Sequence, residues 1–409
     1  MGIGVISTYP PRRCGIASVA FHLRQALLAA GEDFVPVVAL VKSPTDTLAG
    51  PEVVAQIHQH VKGDYRKAAA VLNALPLRAV ILEHEFALFG GPLGAHVLEL
   101  LGALRAPVIT VFHTIMASAP PQMIDMVRRV AAASAAVVVL CERARELITT
   151  RFGVPPGKVV HIPNGAPLPP EGNSEEWKER LGLSGRTVAL TFGLLSPSKG
   201  IETALAAVAQ VAPDHPELLY VVAGATHPEE VRLRGEGYRA RLEQQVAHLG
   251  IGGHVRFVAR YLTEEEVVQY VHAADLYVTP YVVMEQTSSA TLATAAFLGK
   301  ALLSTPYDYA AELLAGGAGY LFPAGDSAAL AQGLRRLLDS PEERARLGEA
   351  ARARAAEFAW QALGHRYRQL ADVLPTPRTV LQQEPPIPPG AGIRARPPLF
   401  RRGQPPGGR

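Results

Sequence analysis

The chain of 409 residues lacks the features on which several protein classes depend. Its two cysteines, Cys14 and Cys141, are far apart and form no CxxC pattern, so neither a disulfide framework nor a structural metal site is indicated. No uninterrupted apolar run approaches the roughly 18 residues of a membrane-spanning helix. The first residues lack a basic segment followed by a long apolar one, so we expect no secretory leader. These absences predict a soluble, cytoplasmic protein.

An excess of charge of one sign is also missing, since the net charge is only +3. From Leu374 to the C-terminus six arginines stand against one glutamate, so the remainder is slightly acidic. Such a body argues against nucleic-acid binding, which needs Lys and Arg clustered on one face. Ten prolines in residues 374–409 exclude a packed element, so we expect a disordered tail there. Its arginines would allow peripheral contact with anionic lipid, although a solvated end is the simpler interpretation.

What the chain does have is a repeated alternation of short β-branched runs with amphipathic segments. Strands are predicted in the first part at Ile3–Ser7, Phe34–Leu40, Ala79–Glu83, Pro107–His113, Ala136–Leu140 and Lys158–Ile162. Further strands are predicted at Thr187–Thr191, Leu218–Val222, His254–Val258, Leu276–Thr279 and Ala301–Ser304. The order strand, helix, strand implies right-handed crossovers and parallel sheets.

Between the two rounds of alternation, residues 168–185 open with turn-forming Pro169, Pro170 and Gly172, which is typical of a linker. The prediction is therefore an α/β protein with two facing, Rossmann-like, doubly wound parallel-sheet domains at residues 1–167 and 186–345. Residues 346–373 are expected to form C-terminal helices. Because doubly wound sheets bind ligands at the carboxyl ends of their strands, the interdomain cleft is the expected site.

A candidate phosphate site follows the first strand of the second domain. The segment Phe192–Gly200 connects this strand to the next helix. Its backbone amides and Lys199 could face a phosphate there. The alternative is an ordinary turn with a solvated lysine, and the spacing alone does not decide between them.

A second candidate lies in Met284–Thr291, where an acidic loop leads into a hydroxyl-rich helix start. Free amides of a first helical turn and the helix dipole favour a diphosphate, and Glu285 could contact a sugar carried on it. The simpler reading is that Thr287 or Ser288 is only an N-cap, and both readings can hold together.

Polar residues also end two strands of the first domain: His84 and Glu85 follow one, and His113 follows the other. This is the rim where ligands bind. The alternatives are a histidine satisfied by its neighbours or a metal pair. A metal is not expected, because adjacent side chains on a strand point to opposite faces.

Gly15 precedes the first helix and could let the backbone approach a ligand, or it could belong to an ordinary turn. The segment is not a GxGxxG fingerprint, and no acidic residue follows the second strand at Leu40–Lys42. A nicotinamide dinucleotide is therefore disfavoured.

Taken in order, these motifs resemble the family 4 retaining glycosyltransferases of GT-B fold. The segments that carry the resemblance are Ser7–Pro11, Cys14–Ala17, His84–Phe86, His113–Thr114, Gly193–Gly200 and Pro280–Thr291. Several motifs in the right order are more specific than any one of them, although a fold alone never fixes function.

The resemblance implies transfer of a hexosyl group from a nucleotide sugar of the GDP-mannose or UDP-glucose type, with retention at the anomeric carbon and without a metal or other cofactor. The acceptor would be a saccharide, a small molecule or a lipid-linked compound. It implies catalytic roles for Glu285 and His113, and donor binding by Gly15, Lys199, Arg260, Tyr261, Gln286, Thr287, Ser288 and Ser289. His84 and Glu85 become candidates on the acceptor side.

Two positions depart from the family pattern. Leu194 stands where an arginine usually joins the phosphate lysine, and Ala293 stands eight residues after Glu285, where a second glutamate usually contacts the ribose. A sugar phosphorylase, a nucleotide-sugar epimerase or a non-catalytic nucleotide-binding protein on the same scaffold remain alternatives.

Overall fold

The β-branched runs form two separate parallel sheets in the structure, a computed structural model that describes residues 1–42 and 50–375. The first sheet contains β1 (Gly2–Ser7), β2 (Val37–Val41), β3 (Val53–His58), β4 (Leu77–His84), β5 (Val108–Phe112), β6 (Ala136–Val139) and β7 (Val159–His161). The second contains β8 (Thr187–Phe192), β9 (Leu218–Ala223), β10 (Val255–Val258), β11 (Leu276–Thr279), β12 (Ala301–Ser304) and β13 (Tyr320–Leu321).

The strand orders are β3-β2-β1-β4-β5-β6-β7 and β10-β9-β8-β11-β12-β13. The first sheet and α1 (Gly15–Ala29), α2 (Lys62–Asn73), α3 (Val97–Ala103), α4 (Pro121–Ala133) and α5 (Glu142–Thr150) form what we call the N-terminal half. The second sheet forms the C-terminal half with α6 (Ser174–Arg180), α7 (Ile201–Val211), α8 (Pro228–Arg234), α9 (Gly237–His248), α10 (Glu264–Ala273), α11 (Ala290–Phe297), α12 (Asp308–Leu313), α13 (Ser327–Asp339) and α14 (Pro341–Arg354). A last helix, α15, spans Trp360–Asp372. The predicted fold class of two doubly wound α/β sheets is confirmed.

Two strands, β3 and the two-residue β13, were not predicted from the sequence. β3 is the edge strand of the first sheet, and most of its residues are half-buried, with only Ile57 buried in the core. An edge strand with little burial gives a weak hydrophobic signal. β2 begins at Val37, later than the predicted Phe34, since Pro36 has no amide hydrogen to donate to the sheet.

Helix α1 packs on the first sheet through Leu23 and Leu27, which recur at helical spacing and are buried. The last helix, α15, packs against α1 and shares its apolar core. At Gly364 the two helices approach so closely that a Cβ would lie 2.3 Å from the carbonyl oxygen of Ala26. The end of the described chain therefore belongs to the N-terminal half.

The two passages of the chain between the halves lie side by side. The Ala166 amide donates to the Phe358 carbonyl at 2.7 Å, and Ala166 and Ala359 form a parallel bridge. Trp360 covers Gly165, where a Cβ would stand 2.2 Å from the indole.

The segment predicted as a linker, residues 168–185, contains α6. Asn173 caps this helix by accepting a hydrogen bond from the Glu176 amide at 3.0 Å. Acidic residues in its first turn and basic residues in its last turn suit the helix dipole. The helix packs against α10, so this part of the segment is ordered on the C-terminal half.

Within the described ranges, no helix combines the length and the apolar character needed to cross a bilayer. The predicted tail lies outside the described residues from position 376 onward, and so does its suggested contact with lipid.

Candidate functional site

A cavity of about 870 Å³ is lined by both halves at the loops that follow their strands. The N-terminal half contributes residues of α1, from Gly15 to His22. The C-terminal half contributes the loops after β8, β9 and β10 together with the starts of α10 and α11. This is the position at which doubly wound sheets bind ligands.

The loop after β8 lines the cavity with the predicted phosphate segment. Gly200 has φ +60°, and a Cβ there would lie 2.0 Å from the Pro280 carbonyl oxygen, so this turn requires glycine. The turn places the Lys199 Nζ 3.9 Å from the centroid of the Tyr281 ring. Leu194 stands where the family pattern has an arginine, and it also lines the cavity. This position therefore presents an apolar side chain to a bound ligand.

The first turn of α11 faces the cavity with Ala290, Thr291 and Thr294. Ser289 caps this helix by accepting a hydrogen bond from the Leu292 amide at 3.3 Å. The amides of the first turn carry partial positive charge, and the small side chains leave them within reach of a ligand.

The start of α1 contributes from the N-terminal half. The Cys14 Sγ caps the helix by accepting a hydrogen bond from the Ala17 amide at 3.4 Å. Gly15 is exposed, and no atom lies within 4 Å of the place where its Cβ would stand. Two helix starts and Lys199 thus place hydrogen-bond donors and positive charge in this part of the cavity, an arrangement that suits an anion.

Another part of the cavity is apolar and aromatic, with Tyr261, Leu262 and Trp360 in its wall. Glu264 lies there too, and its Oε2 is 2.9 Å from the His22 Nε2 on the other side of the cleft. Burial raises the pKa of Glu264, but hydrogen bonds, first that of His22, outweigh burial and lower it overall. Such a wall suits a ring system that carries hydroxyl groups.

The structure separates the adjacent residues Arg260 and Tyr261, both predicted to bind the donor. Tyr261 lines the cavity, and the Arg13 guanidinium lies 5.4 Å from its ring centroid. Arg260 is exposed outside the cavity lining and forms a bidentate ion pair with Glu266 at 2.6 and 2.8 Å. This pair lowers the pKa of Glu266 to about 2. A contact of Arg260 with a base would require that pair to break.

Residues 284–289 pack against residues 113–118 of the N-terminal half, a contact that we call the seam. The two side chains considered as caps of α11, Thr287 and Ser288, instead reach across it. Thr287 Oγ1 donates to the Ile115 carbonyl at 3.2 Å, and Ser288 Oγ donates to the His113 carbonyl at 3.0 Å. Gln286 Nε2 donates to the Ser288 carbonyl at 2.6 Å. None of the predicted donor-binding residues of this loop lines the cavity: Thr287 and Ser288 join the halves, Gln286 bonds within the loop, and Ser289 caps α11.

Glu285 also crosses the seam. Its Oε2 accepts hydrogen bonds from the Ser118 amide at 2.9 Å and from the Ser118 hydroxyl at 2.5 Å. These hydrogen bonds lower the pKa of Glu285, so the carboxylate is ionised at neutral pH. It lies outside the cavity lining in this structure, held by a residue of the opposite half.

His113 follows β5 directly, and its Nε2 lies 2.6 Å from the Oε2 of Glu83 at the end of β4. Both side chains are buried, 8% and 1% exposed. Burial by itself lowers the pKa of His113, but the hydrogen bond and charge of Glu83 outweigh burial and raise it. The pair therefore favours an imidazolium beside the seam.

His84 is enclosed by aromatic rings. Its ring centroid lies 4.9 Å from that of Phe112, 5.2 Å from that of Phe86 and 5.6 Å from that of Phe89. Burial, and then the charge of His113, lowers the pKa of His84 to about 3, so the ring is neutral. With 1% of its surface exposed, His84 packs in the core, and the predicted contact with an acceptor does not fit this placement.

Glu85 is the acceptor-side candidate that stays accessible. It is half-buried, and its Oε2 accepts a hydrogen bond from the Thr114 hydroxyl at 2.5 Å. This hydrogen bond joins the loops that follow β4 and β5. Residues 1–42 and 50–375 contain no group of three or more His, Cys, Asp or Glu side chains arranged to hold a metal ion.

The position that sequence spacing assigned to ribose contact, Ala293, does not face the cavity. Ala293, eight residues after Glu285, is fully buried in the core, whereas Thr294 lines the cavity. Helical spacing could have shown this, because residues 290, 291 and 294 share one face of α11. The position that faces a ligand there carries a hydroxyl group.

Roles for Glu83, Ser118 and Glu264 were not predicted from the sequence. Glu83 could have been suspected from strand alternation, which turns it away from His84. Ser118 and Glu264 gave no local signal, since each acts through a contact with the other half.

Two family models match the chain. The one described as Glycosyltransferase Family 4 matches residues 14–168, and the one described as Glycosyl transferases group 1 matches residues 173–354. Together they cover most of both halves, including the seam and nearly all of the cavity lining.

Sequence relatives include two proteins named D-inositol 3-phosphate glycosyltransferase. That of Corynebacterium jeikeium is 30% identical over 49% of this chain and 47% of its own length. That of Streptomyces scabiei is 29% identical over 56% of this chain and 52% of its own length. The chain thus spans about half the length of the curated relatives it matches.

Solved structures with the same architecture include HepE of Anabaena in complex with UDP and glucose, with a TM-score of 0.73, 16% identity, and coverage of 91% of this chain and 100% of that one. Sucrose-phosphate synthase of Thermosynechococcus elongatus has a TM-score of 0.69 and 19% identity, with coverage of 91% and 98%. These likenesses establish the fold, and the family models cover both halves of it. The chain belongs to family 4 of the glycosyltransferases and has the GT-B fold.

Proposed function

We propose that this protein transfers a hexosyl group from a nucleotide-sugar donor to an acceptor. The observation that carries the proposal is the composition of the cavity. Lys199 and the starts of α1 and α11 favour an anion, and the same cavity has an aromatic wall with a carboxylate. A nucleotide sugar combines a diphosphate with a base and hydroxyl-bearing rings in one molecule, so it suits both parts.

The donor is of the UDP-glucose or GDP-mannose type. The complex of HepE with UDP and glucose supports the first of these as the one to test first. In this proposal Lys199 binds the phosphates, Gly15 lets the α1 backbone approach them, and Tyr261 contacts the base. Thr287 and Ser288 contribute indirectly, because they fix the loop before α11 against the N-terminal half, while Gln286 and Ser289 support the same loop and helix start from within.

Departure of the nucleoside diphosphate builds negative charge on the phosphates and positive charge at the anomeric carbon. Preorganised donors and one carboxylate are what this step needs. Lys199 and the helix starts stabilise the phosphates, and the Glu285 carboxylate stabilises the sugar. Since Glu285 is held by Ser118 of the other half, both halves fix the position of this carboxylate.

The proposal includes retention at the anomeric carbon without a metal ion. The leaving phosphate takes the proton of the acceptor hydroxyl on the same face of the sugar, so the chain does not have to supply a covalent nucleophile. The acceptor is a saccharide, a small molecule or a lipid-linked compound bound on the N-terminal half near Glu85. The name of the D-inositol 3-phosphate glycosyltransferases supports a polyol phosphate among the first acceptors to test.

The test begins with thermal shifts of the full chain against UDP-glucose, GDP-mannose, UDP-GlcNAc, ADP-glucose and their free diphosphates. A donor at 100 times its Kd stabilises the fold by about 2.7 kcal/mol, so one selective donor is expected to raise Tm. NMR of the sugar that this donor releases or transfers then reports the anomeric configuration, with and without EDTA.

No shift with any donor would contradict the proposal. Sugar release that depends on inorganic phosphate would indicate a phosphorylase, and conversion of the donor sugar without transfer would indicate an epimerase. Donor binding with neither hydrolysis nor transfer would indicate a non-catalytic nucleotide-binding protein.

A further inference from the structure

Glu83 forms a buried pair with His113, and the proposed transfer gives its carboxylate no function. Glu83 is the last residue but one of β4, and β4 pairs with β5 so that Glu83 lies opposite Val111. This register brings its Oε2 to 2.6 Å from the His113 Nε2, with both side chains buried. Its second oxygen, Oε1, is buried without a hydrogen-bond partner among the described residues.

Burying a carboxylate with one unpaired oxygen is costly unless a nearby cation offsets the cost. The imidazole of His113 is the group in contact that can supply this charge by binding a second proton. A carboxylate accepts hydrogen bonds and has none to donate, so the Nε2–H group must point at Glu83. The other ring nitrogen, Nδ1, then has no hydrogen-bond partner within the described part of the chain.

The backbone of His113 is part of the seam, because the Ser288 hydroxyl donates to its carbonyl two residues before Ala290 enters the cavity wall. A proton donor at this place stands where the N-terminal half meets the start of α11.

We propose that Glu83 is a positioning residue for His113: its carboxylate orients the imidazole through Nε2 and keeps it doubly protonated, so that Nδ1–H can donate to an oxygen of the substrate. The inference rests on the proposed function, since it assigns His113 a substrate oxygen as its partner. Glu83 itself contacts no substrate.

The charges around the pair act in one direction. Glu83 from β4 and Glu85 from the rim both raise the pKa of His113 against the effect of burial. The neighbouring His84 stays neutral, and Tyr367 of α15, whose pKa burial and the charge of Glu83 raise further, stays protonated. The proton on Nδ1 is therefore kept to higher pH than in an ordinary histidine, and it is lost as the pH rises through the raised pKa of His113.

The test compares the wild-type chain with Glu83→Gln, which keeps the shape and a hydrogen-bond acceptor but removes the charge. Without the charge of Glu83, the effect of burial on the pKa of His113 is no longer offset. The titration midpoint of His113 is therefore expected to move to lower pH by about 1 to 3 pH units, the usual effect of losing an adjacent opposite charge. Nitrogen-15 NMR of histidine-labelled protein, with His113 assigned by His113→Asn, measures this midpoint. The alkaline limb of the turnover profile with the stabilising donor is expected to move by the same amount.

The matched control is Asp64→Asn. Asp64 Oδ2 lies 2.6 Å from the His58 Nδ1, the same distance as in the Glu83 pair, on β3 and α2 away from the cavity lining. This variant removes the charge of a comparable pair and is expected to leave the turnover profile in place.

The proposal is overturned if His113 is neutral throughout the active pH range of the wild type, a measurement that does not depend on whether Glu83→Gln folds. It is also overturned if the titration moves and the turnover profile does not, or if Asp64→Asn moves the profile equally. If no nucleotide sugar is turned over at all, the proposed function fails, and the His113 titration still decides whether Glu83 sets its charge.

Discussion

The two halves share one architecture, yet they contribute to the cleft by different means. The C-terminal half supplies most of the cavity lining, with small residues such as Gly193, Gly224 and Ala290 that leave backbone amides accessible, and with the charged Lys199. The N-terminal half adds an ionisable side chain held by a buried partner, His113 with Glu83. Fixed peptide dipoles do not titrate near neutral pH, whereas the charge of a buried pair depends on both members. We therefore expect the C-terminal wall to govern donor affinity and the seam to govern turnover.

The largest effect on turnover is expected from Glu285→Ala, which removes the carboxylate at the seam. Turnover at saturating donor is expected to fall by about 100- to 1,000-fold, the usual effect of losing one preorganised electrostatic group. Donor affinity, measured by thermal shift, is expected to change much less. Glu265→Ala, an exposed glutamate on α10, is the control. Near-normal turnover in Glu285→Ala would remove Glu285 from the mechanism.

The next largest effect is expected from Lys199→Ala on the C-terminal wall. A hydrogen bond to a charged group contributes about 1.5 to 3 kcal/mol, so the donor Kd is expected to rise by about 10- to 100-fold. Turnover at saturation is expected to fall less than affinity does. The control is Lys62→Ala, an exposed lysine paired with Glu99 on the surface. A loss confined to turnover would contradict the assigned difference between the walls.

Gly15→Ala tests whether the N-terminal half also binds through its backbone. The added methyl group meets no atom within 4 Å, so Tm is expected to stay the same or rise slightly. It would nevertheless stand between the α1 amides and a diphosphate, and we expect donor affinity to fall by about 10-fold, since small misplacements of bound groups are costly. Gly63→Ala, an equally open position near the start of α2, is the control. An unchanged donor Kd would show that α1 lies too far from the phosphates.

The smallest effect is expected from Glu264→Gln. The Glu264–His22 pair crosses the cleft, but the glutamate side chain is 44% exposed, and such pairs contribute about 0 to 1 kcal/mol. We expect donor affinity to change by no more than about five-fold, measured by isothermal titration at low and high salt. A loss comparable to that of Lys199→Ala would mean that Glu264 binds the donor directly.

Local features of the site could be predicted from the sequence because they depend on neighbours in the chain. Lys199 and Gly15 sit in turns between a strand and a helix, and the structure places both in the cavity wall. The long apolar strands were predicted for the same reason, while the half-exposed β3 was not.

Contacts between distant segments could not be predicted in this way. The pairing of Glu83 with His113 depends on the register of β4 against β5, which periodicity does not specify. Glu285 and Ser118 are 167 residues apart and meet because two separately folded sheets face each other. Arg260 does not line the cavity, because its guanidinium pairs with Glu266 in the next helix, a contact that the sequence pattern did not show.

The last described helix has a consequence for the order in which the molecule can mature during synthesis. Leu363, Tyr367 and Ala371 of α15 complete the apolar core that α1 begins, so the first half to leave the ribosome is also the last to be finished. Until translation reaches these residues, the outer face of α1 remains uncovered, which is the kind of surface that invites aggregation or chaperone binding. A premature stop after Arg354 would therefore damage the half whose own sheet and first five helices had already been made.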